Sequence, residues 1–309
     1  MSEPCLSGRA LAEAVTHNLV KQIEAGTLPW SRPWSLTGEG GRPLRHDGQP
    51  YNGINCLLLW STAASRDYRS RYWMTARQAE CLGGALLPGA SASFSIYAAT
   101  VRQGGTQAKA SDGGHARMIS FLRHYTVFNA DEIVGLPDWY YVRDVPPLPR
   151  LLSERQAAID AFFAKLPVTI RRGGDEAFYC PLRDIIQMPY LGSFHSADAY
   201  ASTLAHECVH WTGSPQRLNR EFPKRLGDDA YAFEELVACI GEAMICAELG
   251  LPSELQASHA GYLAHWLSIL RTDTSAIFLA AKKADQAIRY LHDCAANAAT
   301  SPLNTAIAA

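Results

Sequence analysis

The stretch Ser196-Ala197-Asp198-Ala199-Tyr200-Ala201-Ser202-Thr203-Leu204-Ala205-His206-Glu207-Cys208-Val209-His210-Trp211 decides the reading of this 309-residue chain. Ser196 suits a helix N-cap, because its hydroxyl takes the bond of a backbone N–H that the first turn leaves unpaired. Ala199, Leu204, Ala205, Cys208 and Val209 carry the helix onward, and Gly213-Ser214-Pro215 stops it. On such a helix His206 and His210, at i and i+4, project from one face about one turn apart. Two imidazoles at that spacing suit one tetrahedral Zn²⁺. Glu207 is displaced around the helix by about 100°. From there it reaches a water activated by the metal and serves as general base without being a ligand. A bare His-Glu-x-x-His arises by accident in about one or two such chains in a hundred, so the surroundings matter. The apolar flanks and the prompt helix stop favour a built site over a surface pair of histidines.

A third ligand is expected from Tyr231-Ala232-Phe233-Glu234-Glu235-Leu236-Val237-Ala238-Cys239-Ile240-Gly241-Glu242. Phe233, Leu236, Val237, Ile240 and Met244 form its apolar side, while Glu235, Cys239, Glu242 and Cys246 share another. A carboxylate from that face completes a His₂Glu site with one position open for water. Glu235 is the first choice and Glu234 the second, beside the plain reading of acids that favour a helix start. Further on, His259 and Tyr262 share a helix face and are candidates to stabilise an oxyanion. Arg217 and Arg225 lie between the two site helices as candidate contacts for a substrate carboxylate.

The rest of the chain is that of a water-soluble globular protein, with 48% hydrophobic and 19% charged residues. Its net charge is −2, but unevenly spread. Residues 1–130 hold 13 basic against 8 acidic residues, a balance of +5; the remainder holds 15 against 22, a balance of −7. That asymmetry suggests two domains with different partners. The eight cysteines are scattered, several in apolar runs such as Ile54-Asn55-Cys56-Leu57-Leu58, and read as buried free thiols. The N-terminus has no secretory pattern and no stretch is apolar for long enough to span a membrane, so a cytoplasmic location is expected.

Helical periodicity covers residues 9–25, where Leu11, Val15, Leu19 and Ile23 recur at intervals of four before Gly26. Ile54–Ala64 reads as a buried helix. Thr75–Leu82 reads as another, capped by Thr75 and stopped by Gly83-Gly84. Phe94–Val101 and Met118–Phe128, rich in β-branched and aromatic residues, read as strands flanking a flexible hairpin loop. Val145-Pro146-Pro147-Leu148-Pro149 suits a linker. Beyond it helices are expected over 153–164, 196–212, 231–249, 256–271 and 273–296, with one or two strands in Tyr179–Gln187. The fold class is α+β, with a mixed domain over 1–135, a Pro-rich linker over 136–152 and a mainly helical domain over 153–309. In the first domain, Trp30 and Trp34 sit in a proline-rich loop with Arg32 between them. Aromatic rings interleaved with Arg32, Arg42, Arg45, Arg66, Arg69 and Arg71 suit base stacking with phosphate contact, the chemistry of single-stranded DNA. The alternative is a solvated arginine face over a tryptophan core, which is the reading favoured for Trp60.

Taken in order, these stretches resemble the ArdC-type antirestriction proteins, which are related to the N-terminal part of the TraC plasmid primases. The resemblance runs through Gly26-Thr27-Leu28-Pro29-Trp30 and Tyr51-Asn52-Gly53-Ile54-Asn55. It continues in Trp73-Met74-Thr75-Ala76-Arg77-Gln78, Tyr125-Thr126-Val127-Phe128-Asn129, Phe194-His195-Ser196 and the His206 motif. It ends in Arg217-Leu218, Tyr231–Leu236 and the segment with His259, Tyr262, Trp266 and Leu267. It implies a single-stranded-DNA-binding first domain and a zincin-like metallopeptidase second domain. Zinc would be held by His206, His210 and Glu235, with Glu207 as base. It also implies that the protein guards incoming plasmid DNA against the new host's restriction enzymes. The family usually carries an acid where this chain has Cys239, which removes one acceptor for a ligand imidazole. A rival reading is therefore a non-catalytic single-stranded-DNA shield with a structural or residual zinc site. The peptide substrate is not specified by any residue.

Overall fold

The computed structural model describes residues 8–30, 41–102, 118–141, 149–220, 229–251 and 262–300. Helix α1 (Gly8–Glu24) buries Leu11, Val15, Leu19 and Ile23 along one stripe, and Gly26 follows at φ 79°. That left-handed conformation carries no Cβ penalty in glycine, which ends the helix here. Helix α2 (Ile54–Ser65) is apolar nearly all round and correspondingly buried. Strands β1 (Leu44–Arg45), β2 (Tyr72–Met74), β4 (Ser93–Arg102) and β5 (Met118–Asn129) form one sheet in the order β1-β2-β5-β4, parallel only between β1 and β2. Between them lie helix α3 (Ala76–Cys81) and strand β3 (Ala85–Leu86), the latter paired with β6 (Ile133–Val134). Thr75 caps α3 with a reciprocal box: its Oγ1 accepts from Gln78 N at 3.2 Å, and Gln78 Oε1 accepts from Thr75 N at 2.9 Å.

The second half opens with helix α4 (Pro149–Ala164). The last proline of the expected linker thus starts a helix, a position that needs no N–H and accepts proline's fixed φ. A small sheet follows, β7 (Thr169–Arg172), β8 (Phe178–Cys180) and β9 (Ile185–Met188), in the order β7-β9-β8. Helices α5 (Ala197–Thr212), α6 (Asp229–Leu249), α7 (Leu263–Thr272) and α8 (Ala276–Thr300) complete the chain. The mixed first half and mainly helical second half are the α+β class expected from the sequence. Among the described residues no helix is long and apolar enough to cross a membrane.

One hydrophobic cluster runs through both halves, joining Leu57, Leu59, Trp60 and Trp73 to Leu236, Met244, Trp266, Ile277 and Leu291. A smaller one gathers Met74, Ala79, Ile133, Leu136 and Tyr140 beneath β2. The shared cluster brings with it a buried cation. Arg42, 5% exposed, lies 2.7 Å from Asp285 and 3.1 Å from Glu248, and donates to the carbonyl of Tyr51 at 2.7 Å. Arg42 therefore does not belong to a solvated DNA-facing surface. A guanidinium taken out of water needs carboxylate partners, and these come from α8 and α6.

Trp30 is a correction of the same kind. Read as an exposed stacking residue, it is 4% exposed and sits edge-on to Trp266 with ring centroids 5.6 Å apart. Burying an indole against a second one outweighs the exposure that a proline-rich loop suggests. Arg32, Trp34 and His259 lie outside the described residues.

Candidate metal centre

The N-cap of α5 forms as its sequence predicts, with Ser196 Oγ accepting from Ala199 N at 3.0 Å. Ten residues on, His206, Glu207 and His210 are all buried. Helix α6 packs across α5 closely because Gly241 has no side chain; a Cβ there would come within 2.8 Å of Val209 Cγ2. This approach brings Glu235 to the two imidazoles. Glu235 Oε2 lies 3.5 Å from His206 Nε2, and its Oε1 lies 3.3 Å from His210 Nε2. The two Nε2 atoms are 3.1 Å apart. Among the described residues, His206, His210 and Glu235 are the group whose donor atoms all lie within 4.8 Å of one another.

The outer nitrogens of both rings face carboxylates. Nδ1 of His206 is 3.1 Å from Glu242 Oε2, and Nδ1 of His210 is 3.3 Å from Glu234 Oε1. With Nδ1–H donating outward, each ring, once neutral, would turn its Nε2 lone pair into the shared space. Glu234, the alternative third ligand, is thus occupied elsewhere. Arg220 grips it from Nε (3.0 Å to Oε2) and Nη2 (2.8 Å to Oε1), and also donates to Thr212 Oγ1 at 2.8 Å and to the Val209 carbonyl at 2.6 Å. Glu242 supplies the carboxylate that Cys239 does not. The Cys239 thiol also lies within bonding reach of His206, and burial pushes it up to about 12, so it stays protonated.

The charges of the cluster hold one another in place. Burial alone lowers the His210 pKa, but its bonds to Glu234 and Glu235 outweigh burial and lift the value to about 9. His206 is raised likewise against its burial, by Cys239, Glu235 and Glu242. Burial opposes ionisation of Glu235, yet the two imidazoles hold it well below the usual carboxylate range. Glu207 makes no hydrogen bond or ion pair among the described residues.

Tyr262 donates to the hydroxyl of Tyr231 at 3.2 Å, and Tyr231 in turn bonds the Glu235 carboxylate. Tyr231 and Arg220 are the two site residues that sequence reasoning missed. Tyr231 stands one turn before Glu235 on α6, a spacing that marks a shared face; Arg220 lies just past the turn that follows α5, in a stretch that carries no periodic signal. Arg217, a candidate substrate contact, is engaged otherwise. It donates to Tyr179 and Asp184 and lies over the Trp211 ring at 4.1 Å. Arg225 lies outside the described residues.

Residues 157–283, which contain this whole cluster, match the family MPTase-PolyVal, a zincin-like metallopeptidase. Residues 9–128 match the N-terminal domain of anti-restriction factor ArdC. The fold is shared with the metal-free crystal structure of the antirestriction ArdC protein from plasmid R388, at a TM-score of 0.78 and 42% identity over 93% of this chain and 98% of that one. The chain belongs to the ArdC antirestriction family. The Mn(II)-bound structure of the same R388 protein gives a TM-score of 0.75 at 41% identity, again over 93% of this chain and 98% of that one. Another relative, the uncharacterized protein y4eC of Sinorhizobium fredii, is 36% identical over 285 residues, 91% of either chain. DNA primase TraC of Escherichia coli is 34% identical over 291 residues, 89% of this chain but 26% of the primase. This ArdC-family chain therefore spans about a quarter of that enzyme's length.

Proposed function

We propose that this chain is an antirestriction protein of the cytoplasm that binds single-stranded DNA and carries a zinc peptidase site on α5 and α6. The observation that carries the peptidase part is the convergence of His206 Nε2, His210 Nε2 and one Glu235 carboxylate on a common space. Two neutral imidazoles and one carboxylate, with both outer nitrogens held by acids, fit a catalytic zinc. An ion bound there supplies Lewis acidity and acidifies a water molecule. The Glu207 carboxylate accepts the proton that the attacking water gives up and returns it to the departing amine nitrogen. Tyr231, itself held by Tyr262, fixes the rotamer of Glu235 by donating to it. Glu242 and Glu234 keep the two rings turned with Nε2 inward, and Arg220 keeps Glu234 ionised.

The DNA-binding part is supported by the basic balance of residues 1–130 and by the match to the ArdC N-terminal domain. The shield reading, in which the ion is merely structural, drew on the loss of an acid at Cys239. Glu242 beside His206 Nδ1 takes away that motive. The test is plasmid transfer into a restricting recipient with and without the chain, beside transfer into a recipient that lacks the restriction enzyme. Selective recovery of transfer into the restricting recipient is the expected result; equal losses with and without the chain would reject the proposal.

Protons and metal compete for the same nitrogens. His210 is raised from its ordinary 6.5 to about 9 in the metal-free protein. A raised imidazole contributes stability that is fully present below pH 6.5 and is lost as pH rises through about 9. The melting temperature of the metal-free chain should therefore fall across that window. Over the same window zinc affinity should rise, by about tenfold per pH unit for each proton displaced. Thermal scans of the metal-free chain and zinc titration calorimetry, each at pH 6.5 and pH 8.5, read the two trends; an affinity that does not change with pH would show that these rings are not the ligands.

A further inference from the structure

Both strands of the β4–β5 hairpin, Ser93–Arg102 and Met118–Asn129, lack a single aspartate or glutamate. Their register places Ser95 opposite Tyr125 and Tyr97 opposite Arg123. Residues opposite one another in an antiparallel pair share a face, and so do alternate residues along each strand. Ser93, Ser95, Tyr97, Arg123, Tyr125 and Val127 therefore line one side. Near the body of the protein this side is covered, and Ser93, Ser95 and Val127 are buried. Farther out it opens. Tyr97 is 53% exposed and Tyr125 49%, with their rings 6.4 Å apart and tilted by 66°. A pair of large aromatic rings half exposed side by side suits an interaction surface better than an isolated apolar residue does.

Two further arginines reach the same face from outside the hairpin. Arg66 donates to Ser93 Oγ at 3.4 Å and to the Ser91 carbonyl at 2.8 Å. Tyr51 bonds Ser95 through its hydroxyl, and the Arg45 guanidinium lies over the Tyr51 ring at 5.5 Å. Arg45, Arg66 and Arg123 are all exposed. From Ser93 to Tyr97 the strand covers roughly 13 Å, so arginines and tyrosine rings alternate over the length of a few nucleotides. This is the combination that a single strand selects: cations for the phosphates and ring faces for bases that have no pairing partner to stack against. A duplex hides its base faces, and an acidic peptide has no use for the tyrosine rings.

Resting on the DNA-binding reading above, we infer that the face formed by Tyr97, Tyr125 and Arg123, flanked by Arg45 and Arg66, is the single-stranded-DNA platform of this chain. It takes the place of the buried Trp30 as the stacking surface. The reverse face of the same hairpin supplies an internal control, because Phe94 and His124 form a ring pair there, 6.3 Å apart, with Phe94 40% exposed.

The test is fluorescence anisotropy of the full-length chain with a labelled oligothymidine of ~15 nucleotides and with a duplex of equal length. The Tyr97→Ala/Tyr125→Ala double variant should weaken single-strand binding by about tenfold or more, while Tyr97→Phe/Tyr125→Phe retains it, because stacking needs the ring and not the hydroxyl. Arg123→Gln should lower the slope of log affinity against log salt by about 0.7, the share of one phosphate contact. Phe94→Ala/His124→Ala should leave affinity within about twofold of the parent. The placement is overturned if the double tyrosine variant binds as the parent does, or if the reverse-face pair costs more. Failure of the unmodified chain to bind the oligonucleotide at all would sink the underlying DNA-binding reading, and the platform with it.

Discussion

Glu207→Gln is expected to lower peptide hydrolysis by about 10²–10⁴-fold while the ion stays bound. The amide has the size and shape of the acid but cannot accept a proton, so the change removes the base and little else. Glu207 is buried beside His206 on α5, yet it stands outside the group of three donors that converge. Its loss should therefore leave metal content unaltered. The measurement pairs metal analysis of the purified variant with mass-spectrometric detection of cleaved peptides from a proteome-derived pool. Hydrolysis that survives in the variant would remove Glu207 from the chemistry. Loss of the ion together with activity would mean that Glu207 belongs to the ligand set. Measuring restriction protection by the same variant separates the peptidase from the shield: an antirestriction role that depends on cleavage falls with it, and a DNA-coating role does not.

Arg220→Met should cost about 3–5 kcal/mol of folding stability. Arg220 and Glu234 are both buried, and the guanidinium meets both carboxylate oxygens, at 3.0 and 2.8 Å. Removing the cation leaves Glu234 charged, out of water and held by His210 alone. The consequence reaches the metal, because Glu234 sets the orientation of the His210 ring; affinity for the ion should drop by about 10–100-fold. Burial works against ionisation of Glu234, but His210 and Arg220 outweigh it and lower the pKa below its ordinary 4.5. A depressed carboxylate contributes stability that is present above the unfolded value and lost as pH falls through the folded one. The parent should therefore lose stability in acid more steeply than the variant. Denaturant melts of both chains, with Glu234→Gln added to Arg220→Met, check the account. If the second change does not recover part of the loss, the penalty comes from packing and not from an unpaired charge.

Much of this arrangement was legible before the fold was seen. The i, i+4 histidines, the Ser196 and Thr75 caps, the glycine after α1 and the two long strands are signals within a few residues of chain, where dihedral preference and periodicity act directly. The elements that went unforeseen, β1, β2, β3, β6 and β7, are two to four residues long, too short for an alternating pattern. Glu234 and Glu235 were both candidates because adjacent helix residues differ by about 100° in direction. Only the packing of α6 on α5 through Gly241 decides which carboxylate faces the imidazoles. Arg42, Trp30 and Arg220 share a different cause. Arg42 meets Asp285, 243 positions away, and Trp30 meets Trp266. Local context carries no record of the distant partner that buries a side chain. Arg220 lies closer to Glu234 in the chain, 14 positions away, yet the sequence between them has no periodicity that would foretell the meeting.

The most direct test of the account is an anomalous-difference map from crystals of the zinc-loaded chain. It should show one peak per chain, bounded by Nε2 of His206, Nε2 of His210 and the carboxylate of Glu235, with Glu234 and Glu242 on the outer ring nitrogens. A peak bounded by other residues, or no peak at those three atoms in a chain saturated with zinc, would contradict it.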